Sequence, residues 1–442
     1  MSEKPTTATH DADVTDELRA FMTEGWLDRP PTITAPAPVA PYAAKRRELL
    51  SGAFPGDTIV VEAGALVTRS NDTHYPYRPS SDFAWLVGWA EPDAVLALVP
   101  TGGGHEPLLF LRPRRDRSSD AFWRDRTYGE LWTGAVPSHA EIETHTGVAV
   151  RSLDDLDATL GVDPGELARV LSELRLIKDE WEVDQLDLAV AATHKGFDDV
   201  VARLSTAPSE RWIEGTFNRR ARHEGYDVGY GSIVGCGPHA TCLHWTRNDG
   251  EVRAGDLALM DMGVELPSLY TADITRTVPI SGTFDATQAD VYQAVLDAQL
   301  AGIAEVRPGA PFVAPHEAAM RVLTERLVGW GLLKGSVDEL VASQLYRRYT
   351  LHGTSHMLGL DVHDCAQARQ ERYRGGNLEA GMVLTVEPGL YFQTDDGTAA
   401  PELRGIGVRI EDDVLVTTDG CRVLSGAIPK DRGAVERWAS TS

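Results

Sequence analysis

Short apolar runs and amphipathic stretches alternate along most of the chain, and they predict its elements in order. Residues 1–40 are polar and then proline-rich (RPPTITAPAPVAP), the composition of an extended arm with no core of its own. From about residue 45 the pattern becomes foldable. KRRELLSGAF has helical spacing, while DTIVVEAG, AVLALVP and EPLLFLRPR have the character of buried strands. Next comes ELRLIKDEWEVDQLDLAVAATHKGFDDVVARL, whose Ile177, Val183, Leu186, Val190, Phe197, Val201 and Leu204 recur at helical spacings. This long amphipathic stretch opens a second domain. Beyond it, DLALMDMGVE, MVLTVEPGLY and GVRIEDDVLVT predict strands, with helices near 286–305 and 313–331. The expected organisation is an arm over 1–44, a mixed α/β domain over 45–172 and a second α/β (α+β) domain over 173–442.

Length and charge narrow the function. A chain of 442 residues exceeds one ordinary core, which agrees with two domains. Its formal net charge of −24 repels phosphate backbones, so no nucleic-acid partner is expected. No apolar run is long enough to predict a membrane span. The opening MSEKPTTATHDADVTDE lacks the layout of a signal peptide. Cys236, Cys242, Cys365 and Cys421 form no CxxC pair and suit reduced thiols, so a cytoplasmic protein is expected.

Carboxylates interrupt the apolar strands of the second domain. Asp261 lies inside LALMDMGV, Glu387 follows Val386 on the strand face of Thr385, and Glu411 shares a face with Arg409 in VRIEDDVLV. Any one acid could face solvent on a half-exposed strand. Four of them, with Asp273, change the balance, because an unpaired buried carboxylate costs several kcal/mol or becomes neutral. Two divalent cations would neutralise Asp261, Asp273, Glu387 and Glu411, which points to a two-metal hydrolase.

LHGTSHMLGLDVHD carries His352, His356 and His363. Its HxxxH spacing invites a zincin reading, but Gly353 stands where zincins place their glutamate base. His363 falls one position too late for the extended three-histidine pattern, and Gly353 and Gly359 oppose a helix. One histidine is therefore expected as a ligand, with the others acting on substrate or water.

MDMGVE, TADITRT, LHGTSHMLGLDVHD, TVEPGLY and GIGVRIEDD follow one another in an order that resembles the pita-bread metallopeptidases: methionine aminopeptidase, prolidase and aminopeptidase P. In the first domain, SNDTHYPYRPSSDFAWLVGWAEPDAVLAL and LRPRRDRSSDAFWRDRTYG are similar to aminopeptidase P rather than prolidase. The resemblance covers nearly everything after residue 45 and implies a pita-bread catalytic domain. It makes Asp261, Asp273, His356, Glu387 and Glu411 the ligands of two metal ions. It gives His363 the substrate's scissile carbonyl, places His352 and His244 around the proline ring and leaving group, and sets Arg409 beside the ligands. A lone histidine such as His244 can also be a packed, hydrogen-bonded residue. Asp72, Trp123 and Tyr391 are the implied substrate contacts, with Asp72 near the free α-amino group and Trp123 supplied by a neighbouring subunit. A homodimer or homotetramer is therefore expected. His194, His223 and His316 get no role. The cluster Arg112, Arg114, Arg115, Arg117, Arg124 and Arg126 is most simply a solvated face, with recognition of peptide carboxylates as its alternative.

The implied reaction is hydrolysis of the bond between an N-terminal residue and a following proline, by a water or hydroxide bridging the ions, with Glu387 moving the proton. Oxygen-rich ligation with one imidazole favours manganese ahead of cobalt, zinc or iron. One departure stands out: Asp261 and Asp273 are one residue further apart than in the family, and Pro267 and Ser268 suggest a longer hairpin turn with the register recovered at ITRT. The rival readings are an Xaa-Pro dipeptidase (prolidase) with organophosphate hydrolysis as a side activity, and a metal-free binding protein on the same fold. The intact ligand set opposes the last.

Overall fold

Three apolar runs of the N-terminal half, Ile59–Glu62, Val95–Thr101 and Gly104–Leu111, pair antiparallel in that order. Ala149–Ser152 adds a parallel fourth strand beside Gly104–Leu111. In the computed structural model they belong to the first of two compact units, Met1–Val162 and Asp163–Ser442, and residues 13–114, 116–156 and 161–440 are described. Val95, Ala97 and Phe110 share a buried face of the sheet. The helix Ala40–Ala53 carries two buried arginines. Arg46 donates to Trp85 O at 3.0 Å and Arg47 to Leu86 O at 2.6 Å, so guanidinium groups satisfy the last carbonyls of the helix Ser81–Val87.

Two expectations for this unit need correction. The arm is not wholly extended: Asp16–Thr23 is a helix, nucleated where the Thr15 side chain accepts from Leu18 N and where Asp16 and Glu17 sit in the first turn. Nor are the arginines all solvated: Arg124 and Arg126 are exposed, but Arg112, Arg114 and Arg117 are partly buried in ion pairs. Arg112 pairs with Asp93 at 2.5 Å over the Tyr128 ring, Arg114 grips Glu91 through two bonds of 3.0 and 2.9 Å, and Arg117 pairs with Glu130 at 2.8 Å. Arg124 lies over Trp123 and Arg126 over Trp132. These forks are occupied by the chain's own groups, and Arg115 lies outside the described residues.

The second unit also departs from one continuous amphipathic helix. Pro164–Leu174 ends, a turn follows, and Glu180–Val201 restarts behind a capping box made by Asp179 and Glu182. Ile177 falls in the turn and is 37% exposed rather than buried. The helices Glu180–Val201 and Glu210–Glu224 pack through Phe197 and Phe217, and Ala286–Ala304 and Ala314–Gly329 occupy the ranges expected of them. No helix among the described residues is long and apolar enough to cross a membrane.

Small antiparallel sheets hold the functional residues. Ile233–Cys236, Leu257–Met262 and Ile274–Pro279 form one, and Val383–Val386, Asp412–Val416 and Cys421–Val423 form another. Gly389–Tyr391 pairs with Gly407–Arg409. The extra residue between Asp261 and Asp273 is absorbed in a three-residue loop. Leu266 N bonds Tyr270 O at 2.9 Å, and Leu269 takes a left-handed φ of 69°. Register is regained at Met262↔Ile274 and Asp261↔Thr275, so both aspartates return to one end of the hairpin. LHGTSHMLGLDVHD contains no helix; it crosses the sheet as loop, bridged to Leu384 through Met357.

Candidate metal centre

The hairpin of Leu257–Met262 and Ile274–Pro279 brings Asp261 and Asp273 together because their positions flank one pair of rungs. Gly263 keeps that hairpin close: a Cβ there would stand 1.8 Å from Ala272 O. Glu387 leaves the end of Val383–Val386, and Glu411 stands between Gly407–Arg409 and Asp412–Val416. His356 reaches the same place from its loop, pinned by Thr385 N to His356 O at 2.9 Å. These side chains line one cleft of about 650 Å³.

Within the cleft, Asp273, His356 and Glu411 each offer a ligand atom, all within 4.8 Å of one another. His356 Nδ1 donates to Met357 O at 3.1 Å, and Nε2 faces Asp273 Oδ2 (3.2 Å) and Glu387 Oε1 (3.5 Å). Asp261 accepts from Tyr230 Oη at 2.7 Å and from Arg409 Nη2 at 2.5 Å. Arg409 Nε donates to Thr275 Oγ1 at 3.0 Å, and Thr275 donates on to Glu411 Oε2 at 2.6 Å. One guanidinium thereby orients two of the four acids.

The electrostatics fit a site built for cations. Burial pushes Glu411 well above the usual carboxylate range, with Asp273, Glu387 and Asp261 adding to the rise. Burial also lifts Glu387 to about 7 and raises Asp261, although Arg409 opposes both. Asp273 would be raised by burial too, but the His356 ring beside it reverses the direction. His356 is raised to about 9, because Asp273 and Glu387 outweigh its burial. Four acids thus compete for one guanidinium and one imidazolium, a conflict that divalent ions in their midst would remove. Nearby, Asp413 Oδ1 is buried and has no hydrogen-bond partner among the described residues. An oxygen-rich donor set with one imidazole is the chemistry of hard or borderline divalent ions.

The remaining histidines stand around this core. His352 Nδ1 lies 2.8 Å from Gly353 O, and its Nε2 lies 2.8 Å from Tyr391 Oη, which in turn accepts from Arg409 Nη1 at 3.1 Å. Burial and Arg409 push His352 down to about 3, so the ring is neutral and Nε2 accepts from the tyrosine. His363 and His244 line the cleft from its exposed side. Asp72 and Trp123 belong to the first unit; every residue lining the cleft belongs to the second. Asp72 is exposed in the turn after Thr68–Ser70, and the carbonyl of Trp123 accepts from Trp132 Nε1 at 2.6 Å.

Several supporting residues escaped the sequence reading. Tyr230 and Thr275 hold ligand-side oxygens, and nothing in their spacing announces it. Glu210, fully buried, accepts from Cys236 N, His239 Nδ1, Trp245 Nε1 and Gly250 N at 2.7–2.8 Å, fixing the loop that carries His244. Asp364 binds Lys178 Nζ at 2.8 Å and also Arg175, a buried knot under the His363 loop. The placement of Glu210 in a helix first turn and of Asp364 beside a histidine gave no warning of burial.

Residues 184–418 match metallopeptidase family M24, and residues 42–163 match the aminopeptidase P N-terminal domain. Xaa-Pro aminopeptidase 1 of Streptomyces coelicolor is 51% identical over 96% of this chain and 92% of its own. An aminopeptidase of Pseudomonas aeruginosa superposes with a TM-score of 0.81 at 32% identity, covering 92% of this chain and 99% of that one. Aminopeptidase P of Escherichia coli, solved with the inhibitor Pro-Leu, gives 0.81 at 32% identity, covering 90% and 97%. With its acids and His356 gathered in the matched segment and its N-terminal unit of the matching type, the chain belongs to metallopeptidase family M24, in the Xaa-Pro aminopeptidase branch.

Proposed function

We propose that the protein removes the N-terminal residue from peptides whose second residue is proline, using two divalent metal ions held by Asp261, Asp273, His356, Glu387 and Glu411. The convergence of Asp273, His356 and Glu411 on one point of the cleft, with Glu387 and Asp261 adjoining, carries this reading. Manganese is the proposed metal, on the hardness of the donor set. Bound there, the ions would polarise the scissile carbonyl and lower the pKa of a nucleophilic water.

The chain's own residues supply the rest. Glu387 takes the proton released by the nucleophile and returns it to the proline nitrogen as the bond breaks, which proline's tertiary amide requires before it can leave. His363, on the exposed wall, donates to the carbonyl oxygen as negative charge develops. Arg409 holds Asp261 directly and Glu411 through Thr275, so the ligand oxygens keep their directions through turnover. Neutral His352, fixed by Tyr391, and His244 border the leaving group. Asp72 as the amino-group contact, Trp123 as a wall supplied within a closed homo-oligomer, and a cytoplasmic setting complete the reading.

Turnover of a matched pair tests it: an Xaa-Pro-Yaa tripeptide and its Xaa-Pro dipeptide. The tripeptide should have the higher kcat/KM, and N-acetylation should abolish cleavage. A clear preference for the dipeptide would make the protein a prolidase.

A further inference from the structure

A second cavity of about 250 Å³ opens beside the metal cleft and shares His352, Gly353, Ser355 and Arg374 with it. Its own walls come from the start of the helix Ala314–Gly329 and from the segment 344–351. The charge of this cavity runs against that of the protein. The chain carries a net charge of −24 and the metal cleft is lined by five acids, yet no carboxylate among the described residues lines this cavity. Arg347, Arg374 and His316 do.

The basic groups act on one another. His316 is pushed below its ordinary value by burial first, and then by Arg347 and Arg374, so both guanidinium groups lie within electrostatic reach of its ring. Its Nδ1 is 2.9 Å from Thr354 Oγ1, which ties it to the loop leading to His356. Arg347 spends one nitrogen on Gln344 Oε1 at 3.2 Å and another on Leu351 O at 3.3 Å, both uncharged acceptors. The arginines elsewhere in the unit that face acids, such as Arg348 with Asp396, are neutralised by charged partners. An arginine held only by uncharged acceptors, in a cavity with a second arginine at its rim and no carboxylate in its wall, offers an arriving anion charge-assisted bonds.

We infer that this cavity is an anion subsite, centred on Arg347 and His316 with Arg374 at the shared rim, which takes a carboxylate from the part of a peptide beyond its proline. This rests on the proposed peptidase activity and adds a preference to it: substrates acidic after the proline, whether through a side chain or through a C-terminal carboxylate a short distance on. The border residue His352 sets the direction, since it lies on the leaving-group side of the metal centre in that reading and lines both cavities.

The test uses manganese-loaded full-length protein and amidated pentapeptides, Ala-Pro followed by three residues. In one set all three are alanine; in the others glutamate or lysine occupies the third, fourth or fifth position. At low salt, glutamate in at least one position should raise kcat/KM roughly 10-fold over alanine, and lysine should lower it. The gain should shrink with added salt, because both arginines are solvent-exposed. Free-acid tri- and tetrapeptides set against their amides tell a terminal carboxylate from an acidic side chain. R347Q should remove most of the gain and R347E should invert it towards lysine, with the all-alanine peptide serving as the internal reference in each variant. Equal kcat/KM for the glutamate and alanine sets, or a preference untouched by R347E, would overturn the subsite while leaving the peptidase reading intact. No cleavage of any Ala-Pro peptide would overturn the peptidase reading instead.

Discussion

His356 and His363 stand ring beside ring, with centroids 4.4 Å apart, and the proposal gives them different work. His356 points Nε2 into the acids, whereas His363 is pushed down by burial and by His356, against the pull of Asp273. Replacing His356 with alanine should lower metal content and activity together. His363→Ala should keep its metal and lose about 10²–10³-fold in turnover, the usual loss of one oxyanion donor. Metal analysis beside kcat separates the two variants, and the reverse pattern would exchange their roles. Thr275 is a finer case, since its hydroxyl links Arg409 to Glu411. Thr275→Val keeps the shape and removes the link, so metal affinity should fall by roughly 10–100-fold while folding persists. Competition with a chelator measures it.

At the scale of elements, the knot of Lys178, Arg175 and Asp364 binds the turn before Glu180–Val201 to the His363 loop. Burial would raise the Asp364 carboxyl, but Arg175 and Lys178 hold it at about 2. A carboxyl depressed in the folded state contributes stability above its unfolded value of about 4 and loses it as pH falls towards 2. Asp364→Asn leaves buried Lys178 without its acid and Arg175 with only the partly exposed Asp361, and should cost about 3–5 kcal/mol at pH 7, measured by urea unfolding. The gap from the natural chain should hold down to about pH 5 and narrow below about pH 4. Asp361, partly exposed on the same Arg175, should cost under about 1 kcal/mol when changed to asparagine. This knot also shows what a sequence hides. Apolar periodicity located the strands and the two helices near 286–305 and 313–331, because each buries one regular face. It ran straight through Arg175–Asp179, where capping chemistry and a buried ion cluster outweigh periodicity. The acids of the cleft were legible for the opposite reason: Asp261, Glu387 and Glu411 break apolar runs, and a broken run is visible in one dimension. Tyr230 and Thr275 break nothing, so only three-dimensional contact reveals them.

For the whole molecule, residues 42–163 match the aminopeptidase P N-terminal domain and residues 184–418 match metallopeptidase family M24, and in the proposal the first of these takes part in the choice of substrate. Arg112, Arg114 and Arg117 are held by Asp93, Glu91 and Glu130, which opposes the alternative of a carboxylate-binding face, so substrate recognition in this unit falls to Asp72 and Trp123 in the proposal. Trp123→Ala should weaken kcat/KM for tripeptides and leave metal content unchanged, and mass measurement in solution should find a closed homo-oligomer. The central claim is the paired metal site, and elemental analysis of reconstituted protein, read beside its activity on an Xaa-Pro tripeptide, tests it most directly. The account predicts two divalent ions per chain, loss of activity on chelation and fullest recovery with manganese. Full activity in metal-stripped protein would contradict it.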